Sequence, residues 1–474
     1  MVTTPKQKAW ARAIAKPALE FDPTPLSIIS GAIPTNLRGT LYRNGPARLS
    51  RGGERVGHWF DGDGAILGVH FKDDGATGVY RYVQTQGYLD EQEKDTFIYP
   101  NYGMTAKGAF WNNWFKPVKN AANTSVLALP DCLLALWEGG KPHSLDLETL
   151  ATFGIDERIG LTDKQNFSAH PKVDSTTGEI FNYGVNAGAN VTLNLYRCDC
   201  SGKLQQYNSH ILSGLPIIHD FCLAGQYMVF LISPVRVNLT PILLGQKSYS
   251  EAMEWQPELG TEILIFDRNN LSLVGKEVTE PWFQWHFSNG CVNSEGNIVT
   301  EFIRYDNFDT NQYLKEVASG YTQTVAKGTL WELTIEPQTA KVINNQQLCE
   351  LQGEFALVAP QDVGKPWRYT YLNVHNPDVP IDWEIYQSIA RFDRQTSSVK
   401  IVNMGENCYS SEPVLVPEPN SSDRGWLLNV VYDGNSDRSE VRIYQSDLAS
   451  DIPVCRLALP KVIPHGFHGT WRQD

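Results

Sequence analysis

The sequence predicts an all-β chain, and within that class a seven-bladed β-propeller with a metal on its central axis, a short N-terminal helix and a loop and helix cap over the entrance. Three observations predict it. Helical stretches are scarce, with residues 8–16 the one candidate near the start. Short β-rich runs alternate with turn residues along most of the chain. One unit also recurs seven times: a strand, an acidic residue, a few polar or small residues, and a second strand.

That unit is hairpin chemistry, because a short carboxylate bonds to nearby backbone N–H groups and tolerates turn dihedrals. The acidic residues are Asp74, Asp146, Asp199, Asp267, Glu336, Asp393 and Asp447. They recur every 53–72 residues, which suits sheets of about four strands arranged radially. A long β-sandwich or two stacked β domains would use the same turns. No Gly/Ser-rich linker or charge block divides the chain, so residues 1–474 read as one domain.

Composition narrows the function classes. With 42% hydrophobic and 20% charged residues, the chain can bury a large core. A net charge of −13 argues against a nucleic-acid partner. The eight cysteines form no CxxC pair, so neither a thiolate zinc site nor a dithiol redox motif is indicated. Lys6, Lys8, Arg12 and Lys16 interrupt the first apolar residues, unlike a signal peptide, and no apolar run approaches the roughly 18 residues of a membrane span. A cytoplasmic protein is the default expectation.

The ten histidines carry the functional signal. His170, His219, His286 and His468 lie 24, 20, 19 and 21 residues after the hairpin acids Asp146, Asp199, Asp267 and Asp447. In a propeller, the strand after an outer hairpin is the innermost strand of the next blade. A shared offset therefore brings the four imidazoles, each from a different blade, to the axis. The same offset, 18 residues after Glu336 and 19 after Asp393, lands on Glu354 and Glu412. The blade after Asp74 breaks the rule: an insertion over roughly residues 90–122 delays its inner strand to near Asn123.

Neutral imidazoles ligate divalent metals, and ligating rings donate their second N–H to acceptors such as carboxylates. Zinc in a structural site would close at four ligands; a metal preferring six would keep open positions. Spacing alone does not choose between them. His58, His70, His143, His210, His375 and His465 miss the offset and read as structural or surface residues.

With this ring in hand, the chain resembles the carotenoid cleavage dioxygenase family. The motifs run along nearly its whole length: GTLYRNGP (39–46), HWFDGDG (58–64), ANT (122–124), SAHP (168–171), IHDF (218–221), WHFS (285–288), EPVLVP (412–417) and PHGFHG (464–469). The resemblance implies a seven-bladed propeller holding one Fe(2+) per chain on His170, His219, His286 and His468, with O2 as co-substrate. It also implies a third outer glutamate, Glu138 in LLALWEGG, beside Glu354 and Glu412. The chain departs from the family pattern at Phe355-Ala356, where proline more often follows the phenylalanine.

The implied reaction is oxidative cleavage of a conjugated double bond in a carotenoid or apocarotenoid, giving aldehydes such as retinal-like apocarotenoids. A polyene needs an apolar tunnel. Trp137 and Trp285, next to Glu138 and His286, are the leading candidates for its wall, with Phe60 and Phe355 following from motif position; ordinary core packing is the alternative for each. An interfacial patch is expected where lipid-soluble substrate enters, at Phe110, Trp111, Trp114, Phe115 and Leu243. Peripheral membrane contact, a monomer and no nucleic-acid partner complete the reading.

Two other functions stand beside it. One is a stilbene-cleaving dioxygenase on the same scaffold. Such enzymes carry lysine just before the outer glutamate, where this chain has Trp137. The other is a non-catalytic propeller that binds apolar ligands. An isomerase branch without cleavage also exists in the family.

Overall fold

A computed structural model describes residues 8–114, 116–377, 379, 384–418 and 424–474. All seven acidic residues mark hairpins between antiparallel strands, five in the connection itself and Asp267 and Asp393 as the last residue of the first strand. In six of them the carboxylate accepts a backbone N–H two to four residues on, as from Thr149 to Asp146 (2.7 Å), Asn269 to Asp267 (2.8 Å) and Thr339 to Glu336 (2.8 Å). The fourth residue after the acid often takes a left-handed conformation: Leu150 (φ 58°), Leu271 (φ 59°) and Ala340 (φ 59°). These three side chains are buried, so core packing offsets a backbone cost that glycine would avoid.

Each hairpin is the outer half of a sheet, and the described residues form seven such sheets. From the second to the seventh, the innermost strands are Ser125–Ala128, Lys172–Val173, Cys222–Ala224, Phe287–Val292, Gly353–Leu357, and the broken pair Cys408–Ser410 and Val414–Pro417. Burial follows the radial order. The second strand of the fourth sheet, Tyr227–Ile232, is buried throughout, whereas the outermost strand of the third, Leu204–Ile211, alternates with solvent. The seven-bladed propeller is thus the observed architecture.

The chain ends close the ring. The C-terminal strand Gly469–Gln473 pairs with Gly39–Arg48 and becomes the innermost strand of the first blade. Near the N-terminus, Phe21–Pro25 adds an outer strand to the first blade and Ile28–Gly31 adds one to the seventh. Because the first blade combines strands from both ends of the chain, their pairing holds the ring closed. The expected N-terminal helix is a short 3-10 helix, Ala9–Ile14, whose Trp10 is fully buried.

Helices gather in the insertions. Gln86–Lys94 and the 3-10 turn Phe110–Asn113 lie between the first and second blades, Leu239–Leu243 within the fourth, and Asp309–Ser319 within the fifth. The first insertion is fastened at both ends by buried charge. Lys119 Nζ contacts Asp63 (2.5 Å) and Glu91 (2.6 Å), and Arg51 reaches the same Asp63 (2.7 Å) and Glu91 (3.5 Å). All four side chains are at most 2% exposed. Two cations balance two anions, so removing one leaves uncompensated buried charge. Lys119→Met is expected to cost about 3–5 kcal/mol, read as a lower denaturant midpoint at unchanged slope.

Candidate functional site

The hairpin offset ends at the axis. His170 and His219 stand just before the innermost strands of the third and fourth blades. His286 and His468 immediately precede those of the fifth and first. Their Nε2 atoms converge: His170 to His219 is 3.0 Å, His219 to His286 is 3.2 Å, and His286 to His468 is 3.1 Å. The four ligand atoms all lie within 4.8 Å of one another.

Three of the rings are held from behind. His286 Nδ1–H donates to Glu354 (2.5 Å), His468 Nδ1–H donates to Glu412 (2.9 Å), and His219 Nδ1 contacts Glu138. With Nδ1 carrying the proton, each Nε2 presents a lone pair to its neighbours. Lone pairs converging at 3.0–3.2 Å repel unless a cation stands between them. Two ligands at right angles and about 2.1 Å from one ion would themselves be about 3.0 Å apart. The donor set therefore fits a single divalent metal.

Electrostatics agree with neutral ligands. Burial drives His170 well below the ordinary histidine range, and the other three rings push the same way. Burial lowers His468 too, against the pull of Glu412. His286 is the exception: burial lowers it, but the Glu354 charge and hydrogen bond, with help from Asp220 and Glu412, leave it raised. Glu412 is itself held below its usual value, against burial, by His468, Arg43 and the Gly469 N–H.

The motifs explain this rigidity. Arg43, from GTLYRNGP, is buried and donates to the carbonyls of Glu412 and Phe467 (2.7 Å to the latter). Asn44 and Gly45 lie against PHGFHG so closely that a Cβ on Gly45 would meet Gly466 Cα at 2.4 Å. Asp220, from IHDF, accepts from the Phe287 N–H (2.9 Å) and pairs with Lys172 (2.7 Å), joining the three strands that carry His170, His219 and His286. The hairpin offset does not reveal this role for Asp220. A carboxylate adjacent to a ligand histidine was the available signal.

A cavity of about 400 Å³ opens in front of His219, His286 and His468. All four residues expected on its wall, Phe60, Trp137, Trp285 and Phe355, line it. Phe355 stacks on His286 (5.3 Å between centroids) and has a left-handed φ of 56°. The pairing register shifts between Glu354 and Leu357, so the strand bends here without proline. A loop and helix cap was expected, but sequence reasoning did not locate the helix Asp309–Ser319, whose Thr310, Tyr313 and Leu314 line the cavity. Thr310 also accepts the Trp285 indole N–H (3.0 Å). The buried positions Thr310, Tyr313, Val317 and Ala318 follow the helical period and were the signal for it.

The six remaining histidines have other settings. His58 accepts the Phe60 N–H (3.1 Å) and faces the Asn311 carbonyl (3.2 Å), tying the cavity wall to the cap. His465 bonds the Trp10 carbonyl (2.9 Å), and His70 faces Thr40 (2.9 Å). His143 and His375 are buried and His210 half-buried. Of the expected interfacial residues, Trp111 (57% exposed), Trp114 (45%) and Leu243 (71%) face outward. Phe110 opens the 3-10 turn that contains Trp111, with its side chain outside the description, and Phe115 lies outside the described residues. Among the described residues, no helix is long and apolar enough to cross a membrane.

Seven blades around four converging imidazoles define a propeller built to hold a metal on its axis. The chain belongs to the carotenoid oxygenase family, whose model, RPE65 (retinal pigment epithelial membrane protein), matches residues 14–473. It is similar to the apocarotenoid-15,15'-oxygenase of Synechocystis sp., with 31% identity over 98% of this chain and 96% of that protein. It is also similar to resveratrol cleavage oxygenase 1 of Aspergillus fumigatus, at 25% identity over 94% and 91%. The solved structure of cobalt-substituted Synechocystis ACO superposes with a TM-score of 0.90 at 30% identity, covering 98% of both chains.

The donor set can be tested directly. Titration of metal-free protein with cobalt(II) is expected to saturate at one ion per chain, and His219→Ala to abolish that saturation. Glu354→Gln should weaken cobalt affinity about 10–100-fold, as loss of an outer carboxylate does.

Proposed function

We propose that the chain is a non-haem iron(II) dioxygenase that cleaves a conjugated double bond of a carotenoid or apocarotenoid into two carbonyl products, retinal-like aldehydes among them. One observation carries the reading: the four-imidazole cluster opens directly onto a cavity walled by Phe60, Trp137, Trp285 and Phe355. His170, His219, His286 and His468 would hold the iron, and Glu138, Glu354 and Glu412 would orient three of them. Neutral imidazoles leave the ion its full charge and, in a six-coordinate metal, two free positions. Iron(II), when bound, supplies the activation of dioxygen.

The protein's own contribution is placement. Trp285 is fixed by its bond to Thr310, Phe60 by its N–H bond to His58, and Phe355 by its N–H bond to Glu354 (2.9 Å). Rigid apolar walls hold a flat polyene with one double bond before the metal and exclude bulk water. Both oxygen atoms of O2 end in the carbonyl products, so no external reductant is needed. No general acid or base is required of the lining side chains.

Trp137 favours a hydrocarbon-rich polyene over a phenolic stilbene, since an indole cannot ion-pair with a phenolate. The exposed Trp111, Trp114 and Leu243 support docking on a membrane surface. Their segments meet below the surface, where the Ser250 N–H donates to the Tyr102 carbonyl (2.7 Å). We read the whole chain as one domain that works as a monomer.

Incubation of iron-loaded protein with carotenoids, apocarotenoids and a phenolic stilbene, followed by mass identification of the aldehydes, tests the activity. Polyene cleavage is expected, and Trp137→Lys should lower it at least tenfold while iron content stays near one per chain. Separately, Trp111→Asp, Trp114→Asp and Leu243→Asp combined should abolish co-flotation with liposomes; unchanged flotation would remove the docking surface.

A further inference from the structure

Two of the outer carboxylates are gripped on both oxygens by the neighbouring blade. Glu412 Oε1 accepts the His468 Nδ1–H (2.9 Å) and its Oε2 accepts the Gly469 N–H (2.8 Å), both from the first blade. Glu354 Oε2 accepts the His286 Nδ1–H (2.5 Å) and its Oε1 accepts the Tyr305 hydroxyl (2.9 Å), both from the fifth. At Glu354 a side-chain hydroxyl thus stands where a backbone N–H stands at Glu412. Tyr305 has no part in the cleavage chemistry proposed above.

The backbone that places His286 also places Tyr305. Tyr305 directly follows the second strand of the fifth blade, Ile298–Arg304. The Ile303 N–H donates to the His286 carbonyl (3.0 Å), the Tyr305 N–H to the Phe283 carbonyl (2.8 Å), and the Phe283 N–H back to the Tyr305 carbonyl (3.0 Å). These backbone bonds fix the two side-chain donors relative to each other, and Glu354 arrives between them from the sixth blade. Tyr305 and Glu354 are both buried. Burial, with the Glu354 charge next, raises the Tyr305 phenol well above its usual value, so the hydroxyl stays protonated as a donor. The Phe355 N–H shares Oε2 with His286. Without Tyr305, these donors would all sit on one oxygen, and the buried Oε1 would lose its hydroxyl partner.

We propose that Tyr305 is a positioning residue for the metal centre: its hydroxyl holds Oε1 of Glu354, which fixes the plane of the carboxylate and, through Oε2, the orientation of the His286 ring. A carboxylate held at one oxygen can turn about its last bond and take the imidazole with it. Held at both, it keeps the His286 Nε2 aimed at the other three rings. Tyr305 touches no metal in this arrangement and acts only through Glu354. This inference rests on the metal centre of the reading above and is independent of which polyene is cut.

Titration of metal-free protein with cobalt(II), followed by the visible absorption of the bound ion, reads affinity and ligand geometry together. Tyr305→Phe keeps the ring in the cavity wall and removes one oxygen. It should weaken cobalt binding about 3–10-fold, the worth of one hydrogen bond, and shift the cobalt absorption in the same direction as Glu354→Ala does. Unchanged affinity and absorption would overturn the proposal. In a Glu354→Ala background, Tyr305→Phe should change affinity by less than about twofold, because the carboxylate through which it acts is gone. An equal loss in both backgrounds would show a packing role and overturn the proposal. Tyr432→Phe removes a comparable bond, to Asp437 (2.6 Å) in the hairpin of the seventh blade, and should leave both readouts unchanged; a loss matching that of Tyr305→Phe would overturn the proposal too. If the natural protein binds one cobalt per chain and Tyr305→Phe binds it equally well, the positioning role fails and the metal centre stands. If the natural protein binds no cobalt, the metal centre itself fails, and the positioning role with it.

Discussion

Four lone pairs within 4.8 Å of one another are the constraint on which the rest of the molecule depends. Imidazoles do not gather in this way without compensation. Burial already disfavours their charged forms, and each neighbouring ring disfavours protonation further, as at His170. Three of the rings turn Nδ1 outward, His286 to Glu354, His468 to Glu412 and His219 to Glu138, so their Nε2 atoms meet as acceptors. A divalent cation is the physical resolution, and the propeller is the frame that holds the ligands ready for it.

That frame must resist the repulsion, which accounts for the double closure. The last strand, Gly469–Gln473, enters the first blade with His468 at its head, so ring closure and completion of the ligand set are one event. Arg43 and Asn44 clamp the same segment from the first blade, and Glu412 reaches it from the seventh. Opening the ring would therefore remove His468, its carboxylate and its backbone partners together. Stability and metal binding are linked through this seam.

Much of this was legible in the sequence because turn chemistry is local. An acidic turn residue leaves a mark at each of the seven hairpins, and at six of them its carboxylate accepts a downstream N–H. The offset then placed six axial residues, since an inner strand starts a nearly fixed distance after each hairpin. It could not find Glu138, which follows the second strand of its blade, Leu133–Leu136, and reaches His219 only in three dimensions. Asp220 and the helix Asp309–Ser319 were hidden for related reasons. One acts across three blades, and the other sits in an insertion whose helical period is diluted by the β-rich sequence around it.

The site divides its work between two faces, and Phe355 stands where they meet. Behind it, charged groups and hydrogen bonds set the ring orientations; before it, apolar walls set the position of a ligand. Its N–H belongs to the first set, donating to Glu354 Oε2, the same oxygen that accepts from His286. Its ring belongs to the second, lining the cavity while covering His286 and His468 at 5.3 and 5.2 Å. A non-glycine residue with φ of 56° holds strain on the order of 1–3 kcal/mol. Both sets of contacts must be present to hold it there. The geometry of the metal ligands and the shape of the cavity are thus fixed by one backbone conformation, so a change in either face is transmitted to the other through Phe355.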